Sequence, residues 1–420
     1  MNHATTTITG SENNMKTIVK LMSMAACAAA MSSPAMADIK IGITGPLSGP
    51  AANTGISMRE AYEAAAAQAN EAGGVKLGEE MHQIELIFED SASRPEMGVS
   101  AAQKLLTRDN VDILIGDSLA SSVTLAIMEV APSFGKFTMS GQPVSIEIAR
   151  KIQSDPEKYA NFWKASFNSN AYGEVLFDTV KFLEDQGKIS TENKTVAFIV
   201  EDTDYGKSNI EFTAPHFKDA GWTIVAEETV PLGHADFYPQ LSKLRADAPD
   251  VVISIFTSVN SGIALVKQMA EQGMDPLHMG VYYPIRNEFL EGVGDAANGM
   301  LWTPLMFDPE HNESHKEFSV LFDQLTGLEA NGDHAQGYCQ MQLLLDNVAR
   351  AGSVEASAIS EAFATSDFSC VIARYVYDTE THTPKIGGDY MPIPMAQVQN
   401  GSYLAVYPES AATAEFQPTK

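Results

Sequence analysis

Apolar positions along this chain alternate between two rhythms. Ile39, Ile41 and Ile43 form a short apolar run bounded by Gly and Pro, which reads as a buried strand. Gly45, Pro46, Ser48, Gly49 and Pro50 make a tight loop, and Met58, Ala61, Tyr62, Ala65 and Ala69 then share one helical face. Ser57 and Glu60 have capping-box spacing, and Gly73 with Gly74 stops the helix. This strand, loop and helix form the first unit of a parallel sheet. The loop sits at the strand's carboxyl end, where open α/β sheets bind ligands.

The pattern then repeats. Residues 84–88, 111–115 and 137–139 read as strands, and helical stripes run over 97–108 and through Val123, Ala126, Ile127 and Val130. Three strand ends in this half open onto loops rich in Ser, Gly, Asn or Gln, among them Gly116-Asp117-Ser118-Leu119-Ala120-Ser121-Ser122 and Ser140-Gly141-Gln142-Pro143. Near Asn161 the pattern restarts, with strands expected at 162–167, 195–200, 223–230, 251–256 and 279–283 and helices between them. Such alternation predicts βα units with right-handed crossovers. The remainder starts no third domain. It offers a strand at 300–306, helices at 314–326, 335–351 and 354–364, and a strand at 373–377. A hairpin then turns at Asn400-Gly401.

Residues before Asp38 look like a removed address label. Met15, a candidate true start, is followed by Lys16 and Lys20 and an Ala-rich apolar run, and Pro34-Ala35-Met36-Ala37 ends in a small-x-small cleavage pattern. The alternatives are a membrane anchor, for which the run is short and interrupted, and a lipoprotein carrying its lipid on Cys27. No later stretch is long and apolar enough to span a bilayer. The 420 residues leave room for two lobes, and 45% apolar content is that of a globular chain. The net charge of −27 argues against nucleic acid or anionic membrane as partner. Cys339 and Cys370 could pair in an oxidising compartment. Otherwise Cys339 packs as a small apolar residue in a helix and Cys370 lies near a strand start.

Enzymatic equipment is sparse. Gly42-Ile43-Thr44-Gly45 is not the dinucleotide fingerprint, and there is neither a P-loop nor a G-x-S-x-G elbow. Asp202 and Asp204 could act as an acid/base pair but are ordinary turn residues. His311 and His315 have the spacing of a metal pair without the Glu-x-x frame, in a polar helix start. No cofactor is expected.

The segments IGITGPLSGPAANTG, ILIGDSLASSVTLA, EDTDYGKS and FSCVIARYVYDTETHTP, in that order, resemble type I periplasmic solute-binding proteins. More narrowly, they resemble the branched-chain amino acid and amide group that feeds ABC importers. The resemblance covers Asp38 to about Pro408. It implies an α/β fold of two Rossmann-like lobes joined by a three-segment hinge, with a ligand cleft between them. The lobes would be 38–160 with 307–370 and 161–306 with 371–420, after a leader over 1–37 cut near Ala37 and Asp38. The crossings would lie near Asn161, near 301–307 and near 369–374. The implied protein is periplasmic and monomeric. It captures a small solute by lobe closure and hands it unaltered to membrane permease subunits. A sensory module with a separate receptor and an exported α/β enzyme are the competing readings.

By this resemblance Ser121 and Ser122, with Ser118 close by, hold a carboxylate or similar acceptor at a helix N-terminus, although they could merely cap the helix. Tyr205, in Asp-x-x-Tyr-Gly, matches a cleft-facing aromatic residue. Three departures stand out. The second loop reads Ser140, Gly141, Gln142. Asn53 and Thr54 replace an aromatic wall. Tyrosines, not an acidic ammonium partner, follow the strand ending at Tyr283. Tyr205, Phe256, Tyr282 and Tyr283 could therefore stack on a ring or surround a methylated cation. Arg286 could pair with a second carboxylate or be a solvated helix-start residue.

Overall fold

The computed structural model describes Met1 and residues 39–418. The chain divides into the units Met1–Asp38 and Ile39–Lys420, and the second carries every strand and helix described. The leader, its cleavage point, Met15 and Cys27 lie outside the described residues.

In chain order the strands are β1 (Ile39–Gly45), β2 (Val75–Leu77), β3 (Glu80–His82), β4 (Ile84–Asp90), β5 (Ile113–Ile115), β6 (Phe137–Ser140) and β7 (Phe162–Lys164). Next come β8 (Thr195–Glu201), β9 (Thr223–Val230), β10 (Val251–Phe256), β11 (Leu277–Tyr282) and β12 (Leu301–Thr303). The last are β13 (Asp367–Ser369), β14 (Arg374–Asp378), β15 (Thr383–Pro384), β16 (Met395–Gln399) and β17 (Ser402–Tyr407). One sheet has the order β4-β1-β5-β6-β7, parallel throughout. The other has the order β17-β16-β12-β11-β10-β8-β9, parallel from β9 to β12 and closed by the antiparallel β16–β17 hairpin. Strands β5, β10 and β11 are buried at every position, as sheets covered by helices on both faces require.

The chain passes between the sheets three times: after β7, after β12, and between β15 and β16. On returning from β12 it lays the helix Gly332–Ala351 along the helix Ala52–Glu71. Gly337 allows this approach, since a Cβ there would lie 2.8 Å from the Ala61 methyl, and Tyr62 Oη donates to Gln340 Oε1 at 2.8 Å. Among the described residues no helix is long and apolar enough to cross a membrane.

Four expectations need correction. The first helix begins at Ala52, not at Ser57, so Ser57 and Glu60 are interior residues and form no capping box. The Gly49-Pro50 turn starts the helix early, with Ala52 N–H donating to Gly49 O at 3.1 Å. Strand β7 pairs with β6, so the first passage follows Lys164 and not Asn161. The third passage comes later than 369–374, because the β14–β15 segment binds β7. Tyr377 Oη donates to Lys164 O at 2.9 Å, Lys164 N–H donates to His382 O at 3.0 Å, and the His382 ring stacks on Trp163 at 4.0 Å. Finally, Cys339 and Cys370 form a disulfide across 31 residues, so Cys339 is not a lone apolar packer.

Candidate functional site

The carboxyl ends of the two sheets face each other across a narrow cavity of about 50 Å³. On the first sheet's side the wall is the loop after β5. Burial pushes the Asp117 carboxyl up to about 6, against the hydrogen bonds that favour its charge. Its Oδ1 accepts from the N–H groups of Leu119 and Ala120, both at 2.9 Å, and so folds the loop into the start of the helix Ser121–Val130. That helix has no side-chain cap. Ser121 and Ser122 are therefore not caps. They line the cavity, with Ser121 Oγ accepting from Ser145 N–H at 3.2 Å and Ser122 Oγ from Asp204 N–H at 3.3 Å.

The second sheet contributes the end of β8 and the helix after it. Thr203 caps that helix, its hydroxyl accepting from Gly206 N–H at 3.2 Å. Tyr205 then lines the cavity, and its hydroxyl has no hydrogen-bond partner among the described residues. Glu201, the last residue of β8, is fully buried and also lines the cavity. Its Oε1 accepts from Thr257 N–H at 2.7 Å and Ser258 N–H at 3.1 Å, while Oε2 has no partner among the described residues. Burial pushes its carboxyl up to about 7, against those hydrogen bonds.

Two further wall residues tie the halves together. Tyr282 Oη meets Gln142 Oε1 and lies 2.8 Å from Asp333 Oδ1, and Gln142 Nε2 donates to the same Asp333 oxygen at 3.1 Å. Tyr282 adopts φ +75°, a strained value for a bulky residue. Thr54 is buried beside the Tyr282 hydroxyl, outside the cavity wall.

The cavity thus brings together Ser121, Ser122, Gln142, Tyr205 and Tyr282 of the expected set. The others lie elsewhere. Ser118 is a loop strut, its N–H donating to Thr44 O and its carbonyl accepting from Gln142 N–H, both at 2.9 Å. Ser140 is buried at the end of β6. Gly141 is required by close approach, because a Cβ would lie 2.5 Å from Ser118 O. Phe256 and Tyr283 are core residues. Their rings pack at 5.6 Å, and the Tyr283 hydroxyl lies 2.8 Å from Ser254 Oγ. Asn53 and Arg286 border a separate groove with Glu60, Glu288 and His334.

Arg286 is neither solvated nor free for a ligand. It is buried, donates to Ser57 Oγ at 2.9 Å and Asp333 Oδ2 at 3.2 Å, and pairs with Glu288 at 2.6 Å. Burial works against its charge, but Asp333 and Glu288 more than offset this and hold its pKa above the ordinary value. Asp202 is exposed and pairs with Lys207 at 2.8 Å, so it forms no acid/base couple with Asp204. His311 bonds the Asp308 carboxylate, whereas His315 accepts from Asp308 N–H and faces Val371 O, so the two rings serve separate local contacts.

Sequence reasoning missed Glu201, Tyr172, Thr257 and Asp333. Glu201 follows the strand expected at 195–200 and stands beside Asp202 and Asp204, so its acidity alone did not mark it.

A model of the family described as periplasmic binding protein matches residues 38–402. The chain belongs to this family. The chain is 26% identical over 377 residues to Leu/Ile/Val-binding protein homolog 1 of Brucella abortus, covering 90% of this chain and 95% of that relative. Its fold is that of the substrate binding protein LivJ from Streptococcus pneumoniae, solved in complex with isoleucine. The TM-score is 0.73 at 21% identity, over 89% of this chain and 100% of that one. It is equally that of an ABC transporter solute binding protein from R. palustris in complex with benzoate. There the TM-score is 0.75 at 18% identity, over 91% and 100% of the two chains.

Proposed function

We propose that this protein is the solute-binding subunit of an ABC importer. It captures a small polar or amphipathic solute, such as an amino acid, an amide, or a related carboxylate or aromatic compound, and delivers it unaltered to membrane permease subunits. Its lobes are residues 39–164 with 313–384, which pack on the first sheet and its helices, and residues 170–303 with 395–418, which complete the second sheet. The chain is exported by its leader, cut near Ala37, and acts as a monomer.

One observation carries this reading: a single cavity takes polar groups from the carboxyl ends of both sheets. A ligand there bonds to both halves only when they meet, so its binding energy favours the closed arrangement. Ser121, Ser122 and the helix start they open suit an acceptor such as a carboxylate. The relatives' names and complexes, which range from branched amino acids to benzoate, agree with a small solute as ligand.

Thermal-shift screening against amino acids, amides, aromatic acids and betaines tests it, since a ligand specific for the folded state raises the melting temperature. Ser121→Ala and Tyr205→Ala should each weaken the ligand found by about tenfold, the worth of one buried hydrogen bond, without unfolding the protein. Unchanged affinity in both would remove the site. Conversion of the ligand by purified protein would remove the function.

A further inference from the structure

The wall that carries Ser121 and Ser122 is built on a buried carboxylate. Asp117 is fully buried, and its polar groups tie several chain segments together. Its N–H donates to Thr124 Oγ1 at 3.1 Å in the first turn of the helix Ser121–Val130, and its carbonyl accepts from Gly141 N–H at 3.0 Å in the loop after β6. Oδ1 takes the N–H groups of Leu119 and Ala120, residues that themselves line the cavity. Those two donors are therefore spent on the protein's own anion before any solute arrives. Oδ2 makes no well-formed hydrogen bond among the described residues, yet the Thr44 hydroxyl of β1 and the Ser91 hydroxyl just after β4 lie near enough to favour its charged form. A hydroxyl donates to a carboxylate or accepts from a carboxylic acid, so either protonation state of Oδ2 finds a partner here. The helix Ala52–Glu71 presents the Tyr62 phenol, which stays neutral because burial and the Asp117 charge both raise its pKa. A solute carboxylate docked on this wall adds a second negative group one residue layer from Asp117. Like charges disfavour each other's ionised forms, most strongly where both are out of water. Proton uptake by Asp117 relieves the repulsion without dismantling the loop, since Oδ1 still accepts from Leu119 and Ala120 as the carbonyl oxygen of the acid.

We propose that Asp117 is a positioning residue that couples capture to protonation: a solute carboxylate docks at Ser121 and Ser122 with Asp117 in its acid form, the proton passing from solvent to Oδ2, which donates it to the Thr44 or Ser91 hydroxyl. The inference rests on the solute-capture reading above and adds its pH dependence. Burial already holds the free carboxyl at about 6, so a further rise brings the uptake into the neutral range. The solute-bound form holds the proton more tightly, so affinity rises as pH falls and levels off below about 6. Glu201 on the facing wall, held at about 7, titrates in the same range and is separated by its own variant.

Calorimetry of the purified protein between pH 5.5 and 8.5, in buffers of different ionisation enthalpy, reads both Kd and proton uptake. The probes are benzoate, 4-methylpentanoate and L-leucine, which carry a carboxylate, and benzamide and 4-methylpentanamide, which do not. The tightest-binding carboxylate should bind about tenfold more weakly at pH 8.5 than at pH 5.5, the worth of a one-unit rise in the Asp117 pKa, with proton uptake near pH 7. Asp117→Asn keeps Oδ1 and removes the charge. It should bind that ligand at pH 8.5 as tightly as wild type does at pH 5.5, with no uptake, whereas Glu201→Gln should leave the uptake in place. Ser91→Ala removes a group that favours the carboxylate and should move the uptake to higher pH. A merely structural role would not move it, and this variant decides the matter if Asp117→Asn fails to fold. Proton release on binding, affinity independent of pH, or tighter binding of an amide than of its carboxylate overturns the Asp117 assignment while leaving solute capture standing. If none of these compounds and none of the wider screen raises the melting temperature, solute capture itself falls.

Discussion

Glu201 shows at residue scale how a cavity built for a ligand strains the protein that carries it. Its carboxyl is raised from the ordinary 4.5 to about 7, with burial as the main cause. The folded state therefore binds this proton more tightly than the unfolded chain. Glu201's contribution to stability is accordingly full below pH 4.5 and is lost as pH rises to about 7. The span corresponds to about 3 kcal/mol at most. Glu201→Gln keeps the Oε1 acceptor for Thr257 and Ser258 and removes the charge. Urea unfolding of the ligand-free protein should show the variant more stable than wild type by ~1–3 kcal/mol at pH 8 and equal to it at pH 4.5. Equal stability at both values would mean that Oε2 is solvated. Little in the chain's pattern singles this residue out. Glu201 stands beside Asp202 and Asp204, and spacing does not say which of three acids ends the buried strand and which two lie in the turn. Ser121, Ser122 and Tyr205 entered through the family resemblance of their segments, and the structure places all three on the cavity wall.

Among elements, those with strong periodicity were readable. The Asn400-Gly401 turn has φ +53° and +83°, the hairpin geometry the dipeptide favours. Strands β2, β3, β13 and β15 were not readable. Each has two or three residues, too few for a period, and their pairing is set by neighbours outside the strand itself. Nor could spacing decide the cysteines, since pairing needs two Cα atoms brought to 5.7 Å by the fold. The Cys339–Cys370 bridge joins the long helix Gly332–Ala351 to the segment between β13 and β14. Closing a loop of 31 residues restricts the unfolded chain by about 3–4 kcal/mol. Cys339→Ser with Cys370→Ser should lower the urea midpoint accordingly and make it insensitive to reductant, whereas the wild-type midpoint falls on reduction. A reductant-insensitive wild type would mean that the bridge is not formed in solution.

Across the whole molecule, the same closure that surrounds a ligand is held by protein contacts at the cavity's edge. Arg286 and Tyr282 come from the second sheet's side. Asp333, Ser57 and Gln142 come from the first. Asp333 is fully buried and serves both: Oδ2 takes Arg286, and Oδ1 takes Tyr282 and Gln142. Removing Asp333 leaves the buried Arg286 with Glu288 as its one remaining charge partner, so the cost is a part of the about 3–5 kcal/mol of a fully unpaired buried charge, and it exists only while the halves touch. Asp333→Ala should therefore favour separated halves, and the radius of gyration from small-angle X-ray scattering should rise. Ligand affinity should drop by at least tenfold, because part of the binding energy must now restore the contact. Arg286→Met combined with Asp333→Leu removes both charges and should recover most of the compact population, which distinguishes an unpaired charge from lost packing. A scattering profile unchanged in Asp333→Ala, with unchanged affinity, would show that the ion pair follows closure and does not hold it.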